Sequence, residues 1–508
     1  MGTCATLTRL GDPVPKPPLI EHRSIDYVPI RERHGKLWHL WPVWFTGGAH
    51  LATIATGFVG VALGGNFAWM AIAIVLGCAF GTFFMAFHST QGPQLGLPQM
   101  IQSRPQFGYL GALLVWCVAL ITLVGYCAFN QVLAADSMMT LSHFSRVATM
   151  LIFGIIATAL AIVGYDLIHK AQRLLAYLLL VAFAAMTLAV IHVPVPARQL
   201  DLDRFVMIPF LTQLLASAAY QVSWSVSVSD YSRYLPRDIG VAASFWWTYA
   251  GAFAGGVWPM LIGAFAACLF PSLELSDALR SAADVVWPHS GASFLILSLL
   301  GLLTITTIMF YSASLTLLSV IDSVVPLKPG VGQRLWTLFL LLAVSSTIAL
   351  ASSPHFAAAF GEFLAILLYL FTPWTAINLV DFYLVRRGRY SVREIFNPHG
   401  MYGRWSWRGL VAYFGGFIAM MPFFSTGLYR GPIARALGGA DIAIVVGLPV
   451  SALIYIAACR SLDLDTELRR ISVADAGLDA DADEHVGTRA SACLQASSRP
   501  ASRSQRPS

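Results

Sequence analysis

Charged residues are scarce in this sequence. Asp, Glu, Lys and Arg make up only 11% of the 508 residues, whereas hydrophobic residues make up 57% and the mean hydropathy is +0.68. A soluble globule needs more charged side chains to cover its surface, so the composition predicts a chain whose solvent is lipid. The net charge of +6 lies in short connecting stretches without a continuous basic face, so no nucleic-acid partner is expected.

Close cysteine pairs and the common catalytic motifs are also missing. The seven cysteines are dispersed, which argues against a disulfide framework or a zinc site. The sequence has no P-loop, no Gly-x-Ser-x-Gly and no His-Glu-x-x-His pattern, so ATP-driven transport by this chain alone, enzyme activity and a cofactor are not predicted. The first 37 residues lack the apolar run and the small-residue cleavage site of a signal peptide, and we expect none to be removed.

Long apolar runs are what the sequence has instead. A helix needs roughly 20 apolar residues to cross the hydrocarbon core of a bilayer. About twelve stretches satisfy this, and we number them segments 1 to 12: residues 40–64, 67–87, 107–135, 147–168, 172–193, 207–230, 243–270, 292–322, 333–352, 361–385, 409–425 and 441–459. The connections on the N-terminal side of the bilayer carry 19 Lys and Arg and the opposite ones 6, which predicts an even number of spans and cytoplasmic termini.

These patterns divide the chain into three parts. Residues 1–37 form a cytoplasmic N-terminal arm, residues 38–460 a transmembrane domain and residues 461–508 a tail. The tail is rich in Asp, Ala, Ser and Arg and cannot bury enough apolar area to order itself, so we expect a disordered cytoplasmic tail. The whole pattern is typical of a multi-pass protein of a bacterial-type cytoplasmic (inner) membrane.

Segment 1 contains a candidate break. Gly47 and Gly48 precede His50 near the middle of the segment. Adjacent glycines predict that the helix unwinds here and offers backbone groups to a polar solute, which is tolerated only beside a cavity. The alternative is that the two glycines merely allow close helix packing.

Segment 6 contains a candidate binding surface. Hydroxyl groups occur at every second position around Trp224, and Gln221 and Ser223 lie just before it. An indole ring with amide and hydroxyl groups beside it suits a flat ring that carries donors and acceptors. In the alternative, the serines bond to their own helix and Trp224 faces lipid. Tyr126 in segment 3 is a second candidate aromatic plate, or else a packing residue with a satisfied hydroxyl.

Four stretches carry a resemblance to a known family: Ile25–Pro29 with Arg33–Gly35, then His88–Arg104, Phe107–Gly108 and Ser229–Tyr234. The runs GPQLGLPQMIQSR and SDYSRY within them are long and specific. They resemble the nucleobase:cation symporter family, the permeases for cytosine, purines, uracil, thiamine and allantoin. The match extends over nearly the whole membrane region.

The resemblance implies an all-α, leucine-transporter-like fold. Two inverted repeats of five helices would occupy residues of about 38–195 and 205–386, followed by two extra helices at about 409–459, which makes about twelve spans. It also implies a secondary active transporter, functional as a monomer, that imports a nucleobase, cytosine or a purine first of all, by cation-coupled alternating access. The substrate would lie beside the breaks in segments 1 and 6.

The resemblance further implies roles for single residues. Tyr126 and Trp224 match the two positions that sandwich the ring in similar proteins. Gly48 and His50 stand where the family often has Asn and Gln, so His50 becomes a candidate reader of the ring edge. Gln221 and Ser223 complete the predicted substrate site.

A coupling cation is also implied. Relatives that use Na⁺ bind it with carbonyls of the broken first segment and hydroxyls of the eighth, which correspond here to Gly47 and to Thr306 and Thr307. Hydroxyl and carbonyl oxygens suit a hard cation. Na⁺ and H⁺ both stay open as coupling ions.

Two alternatives remain. The same mechanism could serve a vitamin-like ring such as thiamine or pyridoxine, or a hydantoin or allantoin. A membrane-embedded enzyme or receptor is the second alternative, but it would want paired carboxylates, a metal cluster or an activated nucleophile. Glu362 is the deepest acidic candidate, and the sequence suggests no partner for it.

Overall fold

The computed structural model describes residues 26–142, 144–163, 177–188, 193, 195–325, 331–352 and 356–478. Within these residues the chain is helical and contains no β-strand, only an isolated bridge between Ser425 and Arg430. The apolar runs explain this, because a segment surrounded by lipid must satisfy its backbone hydrogen bonds internally.

Each of the twelve predicted segments contains a helix. In order, these are Leu40–Gly48 with Leu51–Ala62 (segment 1), Phe67–Ser89, Leu113–Ser142, Arg146–Val163, Tyr177–Leu188, Met207–Ser223 (segment 6), Val241–Leu269, Ser290–Val324, Val331–Ala351, Phe356–Val380, Trp407–Met420 and Ala443–Cys459 (segment 12). Further helices lie between or after them: Gln91–Leu95, Arg104–Phe107, Ala197–Leu200, Val228–Ser232, Leu275–Val286, Val392–Phe396, Pro432–Ala436 and Leu464–Ala474.

Length and composition support fewer crossings than the sequence predicts. Among the described residues, six helices are long and apolar enough to cross a membrane alone, and up to eight if each of two bent pairs counts as one span. The described helix of segment 5, Tyr177–Leu188, is flanked by residues outside the description. Twelve crossings therefore stay a prediction, whereas the all-helical architecture is confirmed.

The packing partners of the segments repeat with a period of five. Segments 1 and 6 are equivalent in the two repeats, and so are segments 2 and 7. Segment 1 packs on segment 7, and correspondingly segment 6 packs on segment 2. Likewise, the pairing of segments 3 and 4 matches that of 8 and 9, and segments 3 and 9 match 8 and 4. The contacts thus have the internal twofold relation of a five-plus-five repeat. Segments 10, 11 and 12 pack on one another outside this relation.

Glycines allow the two equivalent crossings to be close. A Cβ atom at Gly57 in segment 1 would lie 1.9 Å from the carbonyl oxygen of Met260 in segment 7. A Cβ at Gly77 in segment 2 would lie 2.2 Å from the carbonyl oxygen of Leu214 in segment 6. Small residues at such positions let backbones approach and gain packing contacts, which drive helix association where no water is present.

The stretches that carry the family resemblance meet at one end of the molecule, which we call the arm end. Ser229 Oγ donates to the His88 carbonyl (2.9 Å), and the Gln99 amide donates to Asp230 Oδ1 (2.9 Å). The arm joins them, since the Val28 amide donates to the Gly96 carbonyl (2.9 Å). The long motifs are therefore bound to each other, and they build the arm end of the scaffold.

The beginning of the tail corrects one expectation. Residues Leu464–Ala474 form a helix, capped by Asp463, where the composition suggested disorder from residue 461 onward. Glu467 accepts from Arg386 Nε (3.0 Å) and Nη2 (3.1 Å), and the Asp475 carboxylate accepts from the Val392 amide (2.9 Å). These polar contacts with the segment 10–11 connection replace the missing apolar burial. Residues 479–508 lie outside the described chain.

Candidate functional site

Segment 1 breaks where its glycine pair predicts. The first helix ends at Gly48, Ala49 (φ −82°, ψ 67°) and His50 (φ −153°, ψ 171°) leave the helical conformation, and the second helix begins at Leu51. The two halves differ in direction by 58°. A helix end leaves backbone groups without helical partners. Gly48 also packs closely, since a Cβ there would lie 2.5 Å from the Gly255 carbonyl oxygen, so unwinding and close packing both apply to it.

Segment 6 is interrupted around the predicted tryptophan. Its helix ends at Ser223, Trp224–Val226 form a 3-10 turn, and Ser227 (φ −130°, ψ 4°) separates this turn from the short helix Val228–Ser232. The prediction that both segments are interrupted is thus confirmed. The interruption places Trp224 at the junction of the two halves, where its ring is half-buried.

A hydrogen-bonded chain joins the two breaks. His50 Nε2 and the Tyr220 hydroxyl are 3.1 Å apart, and the same hydroxyl bonds to Thr53 Oγ1. All three side chains are buried. His50 therefore connects the break of segment 1 with the helix that leads into the break of segment 6.

Segment 3 contacts the break of segment 6 through Tyr126. Ser223 Oγ donates to the Tyr220 carbonyl (2.7 Å), so it accepts from the Tyr126 hydroxyl at 3.1 Å. Tyr126 is buried. We call His50, Thr53, Tyr126, Tyr220, Ser223 and Trp224 the central cluster.

The rings of the central cluster meet edge to face through Tyr220. The Tyr220 ring lies 6.1 Å from that of Tyr126 at 89° and 6.4 Å from that of Trp224 at 75°. Trp224 also meets Trp44 edge to face at 6.2 Å. The sequence analysis missed Tyr220, although it lies four residues before Trp224 and hence on the same helical face.

Gln221 is not brought into the central cluster. Its Nε2 donates to the Ala252 carbonyl of segment 7 (2.8 Å), and a Cβ at Gly256 would lie 2.1 Å from that nitrogen. Adjacent helical residues point about 100° apart, so Tyr220 and Gln221 contact different neighbours. Gln221 serves the packing of segment 6 near segment 7 in this structure.

Asn130 is a further polar residue beside the cluster that the sequence analysis left off its site. It lies one helical turn after Tyr126 and is fully buried. Its Nδ2 donates to Thr306 Oγ1 (2.9 Å), whereas its Oδ1 has no hydrogen-bond partner among the described residues. The spacing of four residues from Tyr126 was the available signal.

The predicted cation ligands lie on two faces of segment 8. Thr306 and Thr307 are buried and donate to the Leu302 (2.6 Å) and Leu303 (2.8 Å) carbonyls of their own helix. Thr306 is also tied to segment 3 through Asn130.

The break itself approaches segment 8 one turn earlier. A Cβ at Gly301 would lie 3.9 Å from the Ala49 carbonyl oxygen. Thr304 is three residues further along and donates to the Gly301 carbonyl at 2.8 Å. Gly47 is only half-buried, with Trp44 as its near neighbour.

Two further observations bear on the alternatives. In the described part of the chain, no group of three His, Cys, Asp or Glu side chains is arranged to hold a metal ion. Both carboxylate oxygens of Glu362 accept from the Gly427 amide at 2.8 Å, which ties the segment 11–12 connection to segment 10. Glu362 therefore has a partner, and its contact is structural.

Comparisons with known proteins agree with the family resemblance found in the sequence. The sequence profile of a family described as permease for cytosine/purines, uracil, thiamine, allantoin matches residues 27–447. The putative purine-cytosine permease YxlA of Bacillus subtilis (strain 168) is 36% identical over 441 residues, covering 86% of this chain and 95% of that protein. The purine-cytosine permease fcyB of Emericella nidulans is 22% identical over 471 residues, covering 86% and 88%.

Solved structures share the fold. Mhp1, a nucleobase-cation-symport-1 family transporter in a closed conformation with bromovinylhydantoin bound, has a TM-score of 0.69 at 18% identity, covering 88% of this chain and 97% of that one. A Na⁺-coupled sialic acid symporter in an outward-open state has a TM-score of 0.59 at 11% identity, covering 85% and 91%. These likenesses confirm the predicted transporter fold class.

Proposed function

Because this chain belongs to the family of permeases for cytosine, purines, uracil, thiamine and allantoin, we propose that it is a secondary active transporter that imports a nucleobase or a related small planar heterocycle by cation-coupled alternating access. The observation that carries this proposal is the pair of breaks in segments 1 and 6, joined through the central cluster. Irregular backbone at membrane depth is tolerated where it is buried in protein or lines a cavity.

The central cluster supplies the groups that such a ring needs. Trp224, Tyr126 and Tyr220 offer aromatic faces and edges to a flat ring. His50 and Ser223 offer donors and acceptors to its edge, and we add Asn130 because its buried Oδ1 has no partner among the residues that the structure describes. Cytosine or a purine is the first choice of substrate, since the two curated relatives are named purine-cytosine permeases.

The coupling cation is proposed to bind between the break of segment 1 and segment 8. The Ala49 carbonyl and the Thr304 hydroxyl are the better supported ligands, because the break approaches segment 8 at Gly301. Gly47, Thr306 and Thr307 remain secondary candidates. Na⁺ takes such oxygen ligands, by analogy with other hard cations, and H⁺ is the competing choice.

The position in the cell belongs to the same proposal. The excess of Lys and Arg on one side of the predicted spans supports an inner-membrane protein with both termini in the cytoplasm. The arm end would then face the cytoplasm. We propose that the monomer is the transporting unit, since the repeat places both breaks in one chain.

An uptake panel tests the proposal. Labelled cytosine, uracil, hypoxanthine and allantoin are offered to cells that lack their own permeases, with and without a sodium gradient and with a protonophore. Trp224→Ala and Tyr126→Ala should each raise the KM of the transported ring about tenfold or more, because stacking a base on an aromatic side chain contributes about 1–3 kcal/mol. Trp246→Ala, with a ring 62% exposed on segment 7, is the matched control. Unchanged uptake in both cluster variants contradicts the ring-binding role.

A further inference from the structure

A cavity of about 110 Å³ lies beside the central cluster, on the side of the arm end. Its wall includes Ser227, three residues after Trp224, and Leu123, one helical turn before Tyr126. It extends to Pro98 in the connection between segments 2 and 3. The cavity therefore occupies the space between the central cluster and the compartment that the arm end faces.

The wall of the cavity carries hydrogen-bond donors and acceptors. Asp230 and Arg233 follow the break of segment 6, and Ser227 and Ser312 add hydroxyls from segments 6 and 8. Asp230 is held in place because its Oδ1 accepts from the Gln99 amide at 2.9 Å. A carboxylate accepts from ring N–H groups, and hydroxyls both donate and accept. The Arg233 guanidinium donates to the Asp26 carbonyl (3.4 Å) and the Tyr234 hydroxyl (3.3 Å), so the groups left for a ring are the carboxylate and the hydroxyls. A neutral heterocycle with N–H and C=O groups along its edge matches this mixture.

Aromatic side chains form part of the apolar wall. Trp116 and Tyr311 line the cavity from segments 3 and 8. Trp116 is buried and its Nε1 donates to the Met100 carbonyl (2.9 Å), so the indole is fixed in position. Fixed rings favour flat ligands over flexible ones.

The volume matches one small ring. An apolar cavity of about 150 Å³ is large enough to hold benzene. A space of about 110 Å³ is of the same order, so it suits a single pyrimidine-sized ring better than a nucleoside, which adds a sugar.

We propose that this cavity, lined by Ser227, Asp230 and Ser312, is a second and weaker binding site for the transported heterocycle, occupied after the ring leaves the central cluster. The inference rests on the proposed function, since it takes the substrate class from there. It adds an intermediate binding site to the release route, with its own polar groups for binding the ring. Release would then be a transfer between two sites, and a second ring would slow it by filling the inner one.

Equilibrium binding to the purified full-length protein in lipid nanodiscs tests the proposal. The probe is whichever of labelled cytosine, uracil, hypoxanthine and allantoin is taken up fastest. Ser312→Leu fills the cavity, and Asp230→Asn removes its charge but keeps an oxygen for the Gln99 amide. Thr347→Leu, exposed on segment 9, is the matched control for a bulkier side chain.

Two saturable components are expected in the wild type and in Thr347→Leu. Ser312→Leu should lose the weaker component, and Asp230→Asn should weaken it about tenfold, since a hydrogen bond to a charged group is lost. Trp224→Ala should lose the tighter component and retain the weaker one. Should Ser312→Leu fail to fold, the isosteric Asp230→Asn still decides the question.

One component in the wild type, abolished in Trp224→Ala and unchanged in Asp230→Asn, overturns the second site and leaves the proposed function intact. Neither uptake nor binding of any of the four rings by the wild type overturns the proposed nucleobase-like substrate, and the second site with it.

Discussion

Tyr220 is the residue on which the central cluster converges. Its hydroxyl bonds to His50 and Thr53, its carbonyl accepts from Ser223, and its ring contacts those of Tyr126 and Trp224. It is fully buried, so its hydroxyl satisfies groups that have no access to water. A single side chain thereby sets the relative positions of segments 1, 3 and 6 at the breaks.

The substitution Tyr220→Phe should impair transport as well as stability. It keeps the ring but leaves His50 Nε2 without its partner, which costs about 1–3 kcal/mol at a buried site. We expect the apparent affinity for the transported ring to fall about tenfold, measured as KM for uptake. Tyr429→Phe, in the exposed segment 11–12 connection, is the matched control. A wild-type KM in Tyr220→Phe contradicts a role of the hydroxyl in the site.

At the scale of elements, an ion pair holds the helix Leu464–Ala474 against the rest of the protein. The Arg386 side chain is 6% exposed and that of Glu467 13% exposed, and the guanidinium also donates to buried Asp381 at 2.6 Å. Asp381 accepts as well from Gln106 (2.9 Å) and Tyr455 (3.0 Å). The helix Leu464–Ala474 thus continues a buried polar network that joins the end of segment 10 to segment 12.

Glu467→Gln should destabilise the protein without touching the central cluster. It replaces a two-pronged ion pair by at best one hydrogen bond from the Arg386 guanidinium to a neutral amide, so we expect a loss of about 1–3 kcal/mol and a lower apparent melting temperature. Asp465→Asn, at an exposed position on the same helix, should change little. The measurement is thermal unfolding of the purified protein in detergent. Equal melting temperatures for Glu467→Gln and the wild type would show that the helix is not anchored by this pair.

For the whole molecule, the exchange of packing partners between repeats suggests how access alternates. Segments 1, 2, 6 and 7 form one packed group, and segments 3, 4, 8 and 9 form another. The central cluster draws residues from both groups, because Tyr126 belongs to segment 3 and the others to segments 1 and 6. Rocking one group against the other would therefore open the cluster to one side or the other.

The orientation in the membrane can be checked on the same scale. Leu428, 88% exposed between segments 11 and 12, and Arg389, exposed between segments 10 and 11, should lie on opposite sides. Leu428→Cys should react with a membrane-impermeant maleimide in intact cells, and Arg389→Cys only after permeabilisation. The wild type gives the background from the native cysteines. The reverse labelling pattern would overturn the cytoplasmic assignment of the termini.

The sequence by itself predicts the helical segments and indicates a break at Gly47-Gly48, because low charge, apolar length and helix-breaking residues act locally. The resemblance to the family implies the interruption near Trp224. The fold class followed from the long motifs, which act as signatures of the arm end. Local patterns could not identify Tyr220 as the centre of the cluster, nor assign Gln221 to segment 7. Those assignments depend on which face of a helix meets which neighbour.

Only the tertiary structure decided the contacts between distant residues. The helix at the start of the tail is bound to Arg386, which lies 81 residues before Glu467. An argument from local composition cannot predict such a pair. The approach of the Ala49 carbonyl to Gly301 is another such contact, and it is the reason why we propose Thr304 ahead of Thr306 as a cation ligand. The sequence of a segment determines which contacts its side chains can make, and tertiary packing determines which neighbouring segment they contact.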